Sequence, residues 1–300
     1  MKKINCMIFA FIIILFIFNG CAFKASEDAR IIFIMEGGEI THSDGKKEPA
    51  ALKMLVRKGD TIKTGSGFIM LQIGDDILTR IEPNSTVQMA KLFEGEETRL
   101  ALDDGQIISR IKKLRRNSFI IKTPTATASV RGTQYSVSYY KNRSVLAVKE
   151  GRVQIDIKEK SGEKQKMVEA GNTMVINKDQ MRSINEFEAL EIDKLSQIPY
   201  STERELKGDD AYKDVARIAE EQEQMLYKEI VAKGGPIPKT HREMLKKFGY
   251  INRVNLYNNK YYTGIIISRG RDVLIMTLDG IESVPAKQIR NVKRARNVEE

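Results

Sequence analysis

The stretch Lys122-Thr123-Pro124-Thr125-Ala126-Thr127-Ala128-Ser129-Val130-Arg131-Gly132-Thr133-Gln134-Tyr135-Ser136-Val137 decides the fold. Small and β-branched residues dominate it, and no 3.6-residue period runs through it, so it reads as strand, bend, strand. Pro124 marks a strand start or edge, and Gly132 frees the backbone for a tight bend. Val130, Tyr135 and Val137 then face a core by strand alternation. Arg131, beside the bend, has two readings. It locks the turn by bonding loop carbonyls or an acid such as Glu150, which is the expectation, or it meets an external ligand.

The same texture extends over residues 31–184. Apolar runs at 31–35, 68–73 and 77–81 end at Gly37-Gly38, Gly74-Asp75-Asp76 and Pro83-Asn84, and the run at 107–111 follows Asp103-Asp104-Gly105. Each break supplies residues that tolerate turn geometry. Further runs at 118–122, 134–140, 144–148, 154–158 and 173–176 bring the count to ten or so short strands. Without βαβ alternation, this predicts a sandwich or rolled sheet.

From residue 185 the pattern turns helical. Residues 186–198 are charged, with Leu190, Ile192 and Leu195, and Pro199 ends them. Residues 209–232 carry helix formers throughout, and Tyr212, Val215, Ile218, Met225, Leu226 and Ile230 fall largely on one stripe. Gly234-Gly235-Pro236 stops this helix, and a shorter one is expected over 239–248. The expectation is a connector that packs on one neighbouring domain, the other reading being a helix that pairs with a partner protein. Residues 250–295 return to short apolar runs separated by Asn258-Asn259, Arg269-Gly270-Arg271-Asp272 and Asp279-Gly280, a meander economically closed as a small barrel.

The chain opens Met1-Lys2-Lys3, runs apolar over 7–18 and reaches Asn19-Gly20-Cys21. This has the shape of a secretory signal, too short to span a bilayer, which takes roughly 20 apolar residues. Phe18-Asn19-Gly20-Cys21 resembles a bacterial lipobox, with Phe18 and Asn19 departing from the usual pattern, so Cys21 is expected to be lipidated as the mature N-terminus. Ordinary cleavage leaving a thiol, or no cleavage, are the other readings. Cys6 leaves with the signal and a lipidated Cys21 cannot pair, so no intramolecular disulfide is expected.

Composition narrows the chemistry. The 300 residues hold 50 Lys and Arg against 40 Asp and Glu, two His, two Cys and no Trp. Most metal sites and nucleophile-base arrangements lack raw material, and His42 and His241 stand far from each other in sequence. The acid pairs Asp75-Asp76 and Asp103-Asp104 adjoin turns. No enzyme, cofactor or metal is expected. The densest cationic run holds Lys112, Lys113, Arg115 and Arg116, and a second patch holds Lys287, Arg290, Lys293, Arg294 and Arg296. Either suits anionic lipid or acidic glycan, although solvated surface is the plainer reading.

Residues 122–137 resemble the signature of the FecR domain, the extracytoplasmic part of iron-dicitrate-type sensor regulators, in which T-P-x-A leads into V-R-G-T-x-F/Y-x-V. Thr123, Pro124, Val130, Arg131, Gly132, Thr133, Tyr135 and Val137 carry the resemblance. Flanking pieces agree in order: Gly59-Asp60-Thr61-Ile62-Lys63-Thr64-Gly65 and the 68–83 hairpin before it, then Val148-Lys149-Glu150-Gly151-Arg152-Val153 and Val168-Glu169-Ala170-Gly171 after it. The resemblance implies a FecR-type β-domain over 31–184, with a signature that identifies the fold rather than a site. Regulators of that family place an anti-sigma segment and a transmembrane helix before the domain. Here it closely follows a signal, so direct contact with a sigma factor is not expected. Residues 250–295 resemble the Sm-like small barrel of bacterial envelope lipoproteins.

The sequence thus predicts a mainly β protein: signal peptide 1–20, lipidated Cys and tether 21–30, β-sandwich or roll 31–184, helical connector 185–249 and small barrel 250–295. Its expected role is a lipid-anchored module of the bacterial envelope, extracytoplasmic, that binds or scaffolds without catalysis. The alternative is a sensor that relays a signal to a separate membrane regulator. Expected partners are membrane lipid through Cys21 and an envelope protein or peptidoglycan, with no nucleic acid.

Overall fold

The computed structural model describes residues 29–94, 97–112, 118–140, 142–159, 162–202, 204–233, 238–248, 250–268 and 272–295. The described residues begin with seventeen strands. The first six are β1 (Ala29–Ile34), β2 (Gly38–Thr41), β3 (Lys47–Pro49), β4 (Leu55–Val56), β5 (Thr61–Thr64) and β6 (Ile69–Ile73). Then come β7 (Ile77–Ile81), β8 (Thr86–Glu94), β9 (Glu97–Ile111), β10 (Ser118–Lys122), β11 (Ala126–Val130) and β12 (Gln134–Tyr140). The set ends with β13 (Arg143–Glu150), β14 (Arg152–Glu159), β15 (Gly162–Glu169), β16 (Asn172–Val175) and β17 (Gln180–Ser183).

These strands pair into two facing sheets. The inner sheet runs β4-β1-β6-β7-β9-β12-β13-β16-β17. The outer sheet runs β3-β2-β5-β8-β9-β10-β11-β14-β15. Strand β9 belongs to both, pairing with β8 and β10 through its first half and with β7 and β12 through its second. The crossing falls at Gly105, where φ is +101° and an added Cβ would lie 2.5 Å from Ser85 Cα. Only a residue without a Cβ turns the strand here.

Ile31, Leu71, Ile107, Phe119, Tyr135 and Leu146 are among the residues that fill the space between the sheets. The inner sheet is buried on its far face too: β6 and β7 are buried at every position. There Ile32, Phe68, Met70, Leu78 and Ile108 pack against Ile192, Leu195, Ile198, Tyr212 and Val215 from the connector. Burying an aliphatic side chain contributes about 1.5–3 kcal/mol, so this second core holds the connector down firmly.

Three helices follow, α1 (Glu186–Asp193), α2 (Asp210–Lys233) and α3 (His241–Phe248). Asn185 starts α1 with a capping box, its side chain accepting from Glu188 N–H while the Glu188 side chain returns to the Asn185 N–H. The last five strands are β18 (Ile251–Leu256), β19 (Tyr261–Ser268), β20 (Asp272–Thr277), β21 (Gly280–Pro285) and β22 (Ile289–Ala295), in the order β21-β20-β19-β18-β22. Strand β19 pairs with β18 up to Gly264 and with β20 beyond it. A Cβ on Gly264 would strike the Met276 carbonyl, 2.8 Å from its carbon, so the close approach requires glycine.

Three expectations change. The C-terminal unit is an open, bent sheet and not a closed barrel, because the turn over Ala286–Gln288 sends the chain to the free edge of β18 and leaves β21 and β22 as the two edges, not paired with each other. The connector packs on both β units rather than one: α2 touches β1 and β19, and α1 touches β9, β12, β13 and α3. The first unit holds more strands than the apolar runs suggest. Lys47–Pro49 and Gly162–Glu169, for example, are edge strands with most side chains in solvent.

Gly105→Ala is expected to lose about 3 kcal/mol in urea unfolding, from the positive φ together with the Ser85 clash. Gly37→Ala, at φ +75° with open space around it, should lose only about 1 kcal/mol. Equal losses would show that the strand crossing does not depend on Gly105.

Candidate functional site

The far face of the inner sheet brings together more chemistry than any other described surface. Strand register sets Met70, Arg80, Ile108, Ser136, Ala147 and Thr173 side by side in one row. Gln72, Leu78, Arg110 and Gln134 form the next. Six of these ten are polar, and Gln72, Arg110 and Gln134 hold the connector by its main chain. Ser201 N–H donates to Gln72 Oε1 at 2.9 Å while Gln72 Nε2 donates back to Ser201 O. Arg110 donates to the carbonyls of Ser196 and Ile198, and Gln134 Nε2 to that of Ile192 at 2.8 Å. Each bond satisfies a group that helix ends and turns otherwise leave unpaired.

At the centre lies a buried charge cluster. Arg80 has no exposed surface, and Glu82 and Glu223 are each 2% exposed. Arg80 Nε donates to Glu82 Oε1 at 2.7 Å and Nη2 to Glu223 Oε1 at 2.6 Å, and its guanidinium lies 3.4 Å from the centre of the Phe68 ring. Lys194 Nζ is 3.5 Å from Glu223 and 3.9 Å from Glu82. Burial pushes the Glu82 carboxyl up, but the charges of Arg80, Lys194 and Arg294 and the Arg80 hydrogen bond outweigh it and hold it at about 2. For Arg80, burial works against the charge and the two carboxylates more than offset it.

A second arm joins the C-terminal unit. Arg294 donates to Gln106 Oε1, and its guanidinium sits 3.8 Å over the Tyr250 ring. Tyr250 donates to Glu191 Oε1 at 2.9 Å, and Gln106 Nε2 reaches Glu191 Oε2 at 3.4 Å. Burial and the adjacent Glu191 raise the Tyr250 hydroxyl well above its ordinary value, so it stays a donor. Ser136, Ser138, Glu188, Glu191 and Tyr250 line a cavity of about 20 Å³ beside these groups, room for about one water. The arrangement can lock three segments together. Among the described residues no group of three His, Cys, Asp or Glu side chains is placed to hold a metal ion.

The signature residues lie apart from this cluster, at a crossing between sheets. Thr123 closes the β10–β11 turn, its Oγ accepting from Ala126 N–H at 3.0 Å and lying 2.9 Å from Ser144 Oγ, and Pro124 is exposed at the tip. Val130 ends β11 in the outer sheet. Gly132 bends at φ +103°, and Tyr135 and Val137 resume in β12 of the inner sheet, all three apolar residues facing the core between the sheets. Thr133 is buried and its carbonyl accepts from Ile111 N–H at 2.9 Å. Arg131 is exposed and bonds to no described residue, and Glu150 stands opposite Gln134.

Lys112 donates to Asp75 O at 2.9 Å and lies 4.3 Å from the Tyr200 ring centre. Lys113, Arg115 and Arg116 lie outside the described residues, as do Cys21 and the whole signal. Arg294, counted with the C-terminal patch, turns into the buried arm instead. Of the expected stripe on α2, Tyr212 and Val215 are buried, Ile218 is partly buried and Met225 is exposed, while Ala219 and Glu223 continue the buried face. His42 bridges Glu48 (2.6 Å) and Asp60 (3.3 Å) at the β2–β3 hairpin. The sequence reading missed Arg80, Glu82, Lys194 and Glu223. A signal was present: in 69–73 and 77–81 apolar residues fall at adjacent rather than only alternate positions, which marks a sheet covered on both faces, and an Arg within such a run requires a buried acid.

Residues 60–154 match the family model described as FecR protein, from the start of the hairpin region around β5 into β14. No curated protein matches the chain. Two crystal structures of a protein provisionally described as an anti-sigma factor, from Parabacteroides distasonis, are similar. At 1.65 Å the identity is 14%, the TM-score 0.38 and the match covers 46% of this chain and 64% of that one. At 2.50 Å the values are 14%, 0.37, 45% and 62%. This chain therefore spans less than two thirds of the length of either.

Arg80→Met is expected to cost about 3–5 kcal/mol in urea unfolding, because it strands Glu82 and Glu223 without their main counter-charge. Lys53→Ala, which breaks the exposed pair with Asp209, should cost under about 1 kcal/mol. The Glu82 carboxyl is depressed from 4.5 to about 2, so its stabilisation is full above the unfolded value and is lost as pH falls through the folded one. Wild type should lose on the order of 3 kcal/mol more than Glu82→Gln across that window, followed by denaturant midpoint against pH. Parallel curves would remove Glu82 from the cluster's charge balance.

Proposed function

We propose that the chain, through the FecR domain of residues 60–154, is a non-catalytic extracytoplasmic module that relays a signal to a separate membrane regulator. The observation that carries this is the family match over that domain. It favours the relay over the scaffold role that the sequence first suggested. A lipid on Cys21 is the proposed membrane tether, and no helix among the described residues is long and apolar enough to cross a membrane.

The buried cluster supports the relay physically. Arg80 and Glu82 come from the FecR domain, Glu223 and Glu191 from the connector, and Arg294 and Tyr250 from the C-terminal side. A partner that shifts one unit must move charges which none of the three can leave unpaired, so the units respond together. Arg131 is exposed in the bend between β11 and β12, and is the charged side chain of the signature placed to meet such a partner.

Two experiments test the reading. Radiolabelled palmitate should enter the wild-type protein and be lost in Cys21→Ala; label that persists in the variant removes the proposed tether. In-cell cross-linking of the full-length protein should capture a membrane regulator or transporter, and deletion should change envelope-stress transcripts. Unchanged transcripts, with capture of peptidoglycan fragments or structural envelope proteins alone, would return the scaffold role.

A further inference from the structure

The C-terminal sheet gathers cations and tyrosines on one face, away from the buried cluster. Pairing places Arg253 beside Lys293 of β22 and Thr263 of β19, and puts Asn255 beside Tyr261 and Asn291. The alternate residues Val254, Val292 and Tyr262 turn to the opposite side, into the core of this unit. The register shift between Asn255 and Leu256 sets Arg290 as an extra, exposed residue next to this face. At the tip of the β18–β19 hairpin Tyr257 is 69% exposed, its N–H held by Gln288 O at 3.0 Å, and Lys260 follows it. Tyr261 is 55% exposed, with the Arg253 guanidinium 4.0 Å from its ring centre.

What sets these cations apart is their clustering beside two exposed tyrosines. Among the described residues no carboxylate pairs with Arg253, Lys260, Arg290 or Lys293. Lys164 and Lys166, on the outer sheet, are by contrast both bound to Asp179. Two cations on this face, Arg253 and Lys293, with Lys260 and Arg290 at its margin, create a local positive potential, and it complements an anionic surface. Two exposed tyrosines at the rim are amphipathic groups suited to the headgroup level of a bilayer, where the ring is apolar and the hydroxyl stays wet.

We propose that this face docks on a membrane surface bearing anionic headgroups, holding the C-terminal unit flat against the bilayer. The mechanism is cation attraction within a Debye length, with Tyr257 and Tyr261 entering the headgroup layer. It needs no lipid on Cys21 and no regulator, so it stands or falls separately from the relay.

The chain has no tryptophan, which makes Tyr257→Trp a single reporter in the full-length protein. The protein is reconstituted in vesicles of phosphatidylcholine alone and of phosphatidylcholine mixed with phosphatidylglycerol, so that any N-terminal attachment is common to both. The expected result is a blue-shifted emission, quenched by bromine-labelled acyl chains, on the phosphatidylglycerol vesicles only, and reversed by high salt. Arg253→Gln and Lys293→Gln should each weaken the docked state roughly five-fold. Lys164→Gln should leave it unchanged, and far-ultraviolet circular dichroism checks that each variant keeps its sheet. Identical emission on both vesicle types, or no effect of the Arg253 and Lys293 changes, overturns the proposal. So does a shift produced by soluble dextran sulfate but not by anionic vesicles, which would assign the face to an acidic polymer. A concentration-dependent shift without vesicles would assign it to a second copy and also overturn the proposal.

Discussion

Arg80 has no contact with water, and the arrangement of the molecule around the inner sheet follows from that. A guanidinium so placed persists only with carboxylates at hydrogen-bond distance, and these come from near and far in the chain: Glu82 two residues away and Glu223 from a helix more than a hundred residues later. Phe68 closes one face of the guanidinium and Lys194 balances the second acid. A cluster of this kind adds little net stability compared with apolar packing of the same volume. What it does is penalise alternatives, since any other seating of the connector leaves a buried charge alone.

The cluster depends in turn on how the sheets are joined. Strand β9 starts in the outer sheet and finishes in the inner one, with Gly105 at the crossing, and the segment through Arg131 and Gly132 makes a second crossing from β11 to β12. Both routes deliver polar side chains to the connector face: Gln106 and Arg110 from β9, Gln134 from β12. Two bends that a sequence marks as glycines therefore position the donors that bind the connector main chain and the acceptor for Arg294. The first β unit, the connector and the C-terminal sheet are fixed to one another through this one face.

Much of the fold was legible. Gly-Asp, Asp-Gly and Pro-Asn breaks separate the strands 77–81 and 107–111 cleanly, because turn chemistry is local. Helix α2 agreed to within a residue at each end, since acids at its start and apolar residues at i, i+3 and i+7 are local too. Strands such as Lys47–Pro49 and Gly162–Glu169 were not legible, because an edge strand whose side chains meet water carries no apolar alternation. The cationic patches were legible as composition but not as surfaces. Arg294 turned inward, Lys112 lies against Asp75 and Tyr200, and Arg253 and Tyr261, distant from the C-terminal run in sequence, joined it across strand pairs.

By itself, the sequence determined where the apolar strands and the long helix start and stop, which signature residues face the core, and the class of fold, because these rest on side-chain period and backbone freedom within a few residues. Only the tertiary structure decided which strand lies beside which, that the inner sheet is covered on both faces, and that Arg80, Glu82, Lys194 and Glu223 form one buried set. Those outcomes depend on pairings between residues beyond the reach of a local window, as far apart as Arg80 and Glu223, and a charged side chain carries in its own sequence no mark of whether the opposite charge or water will meet it.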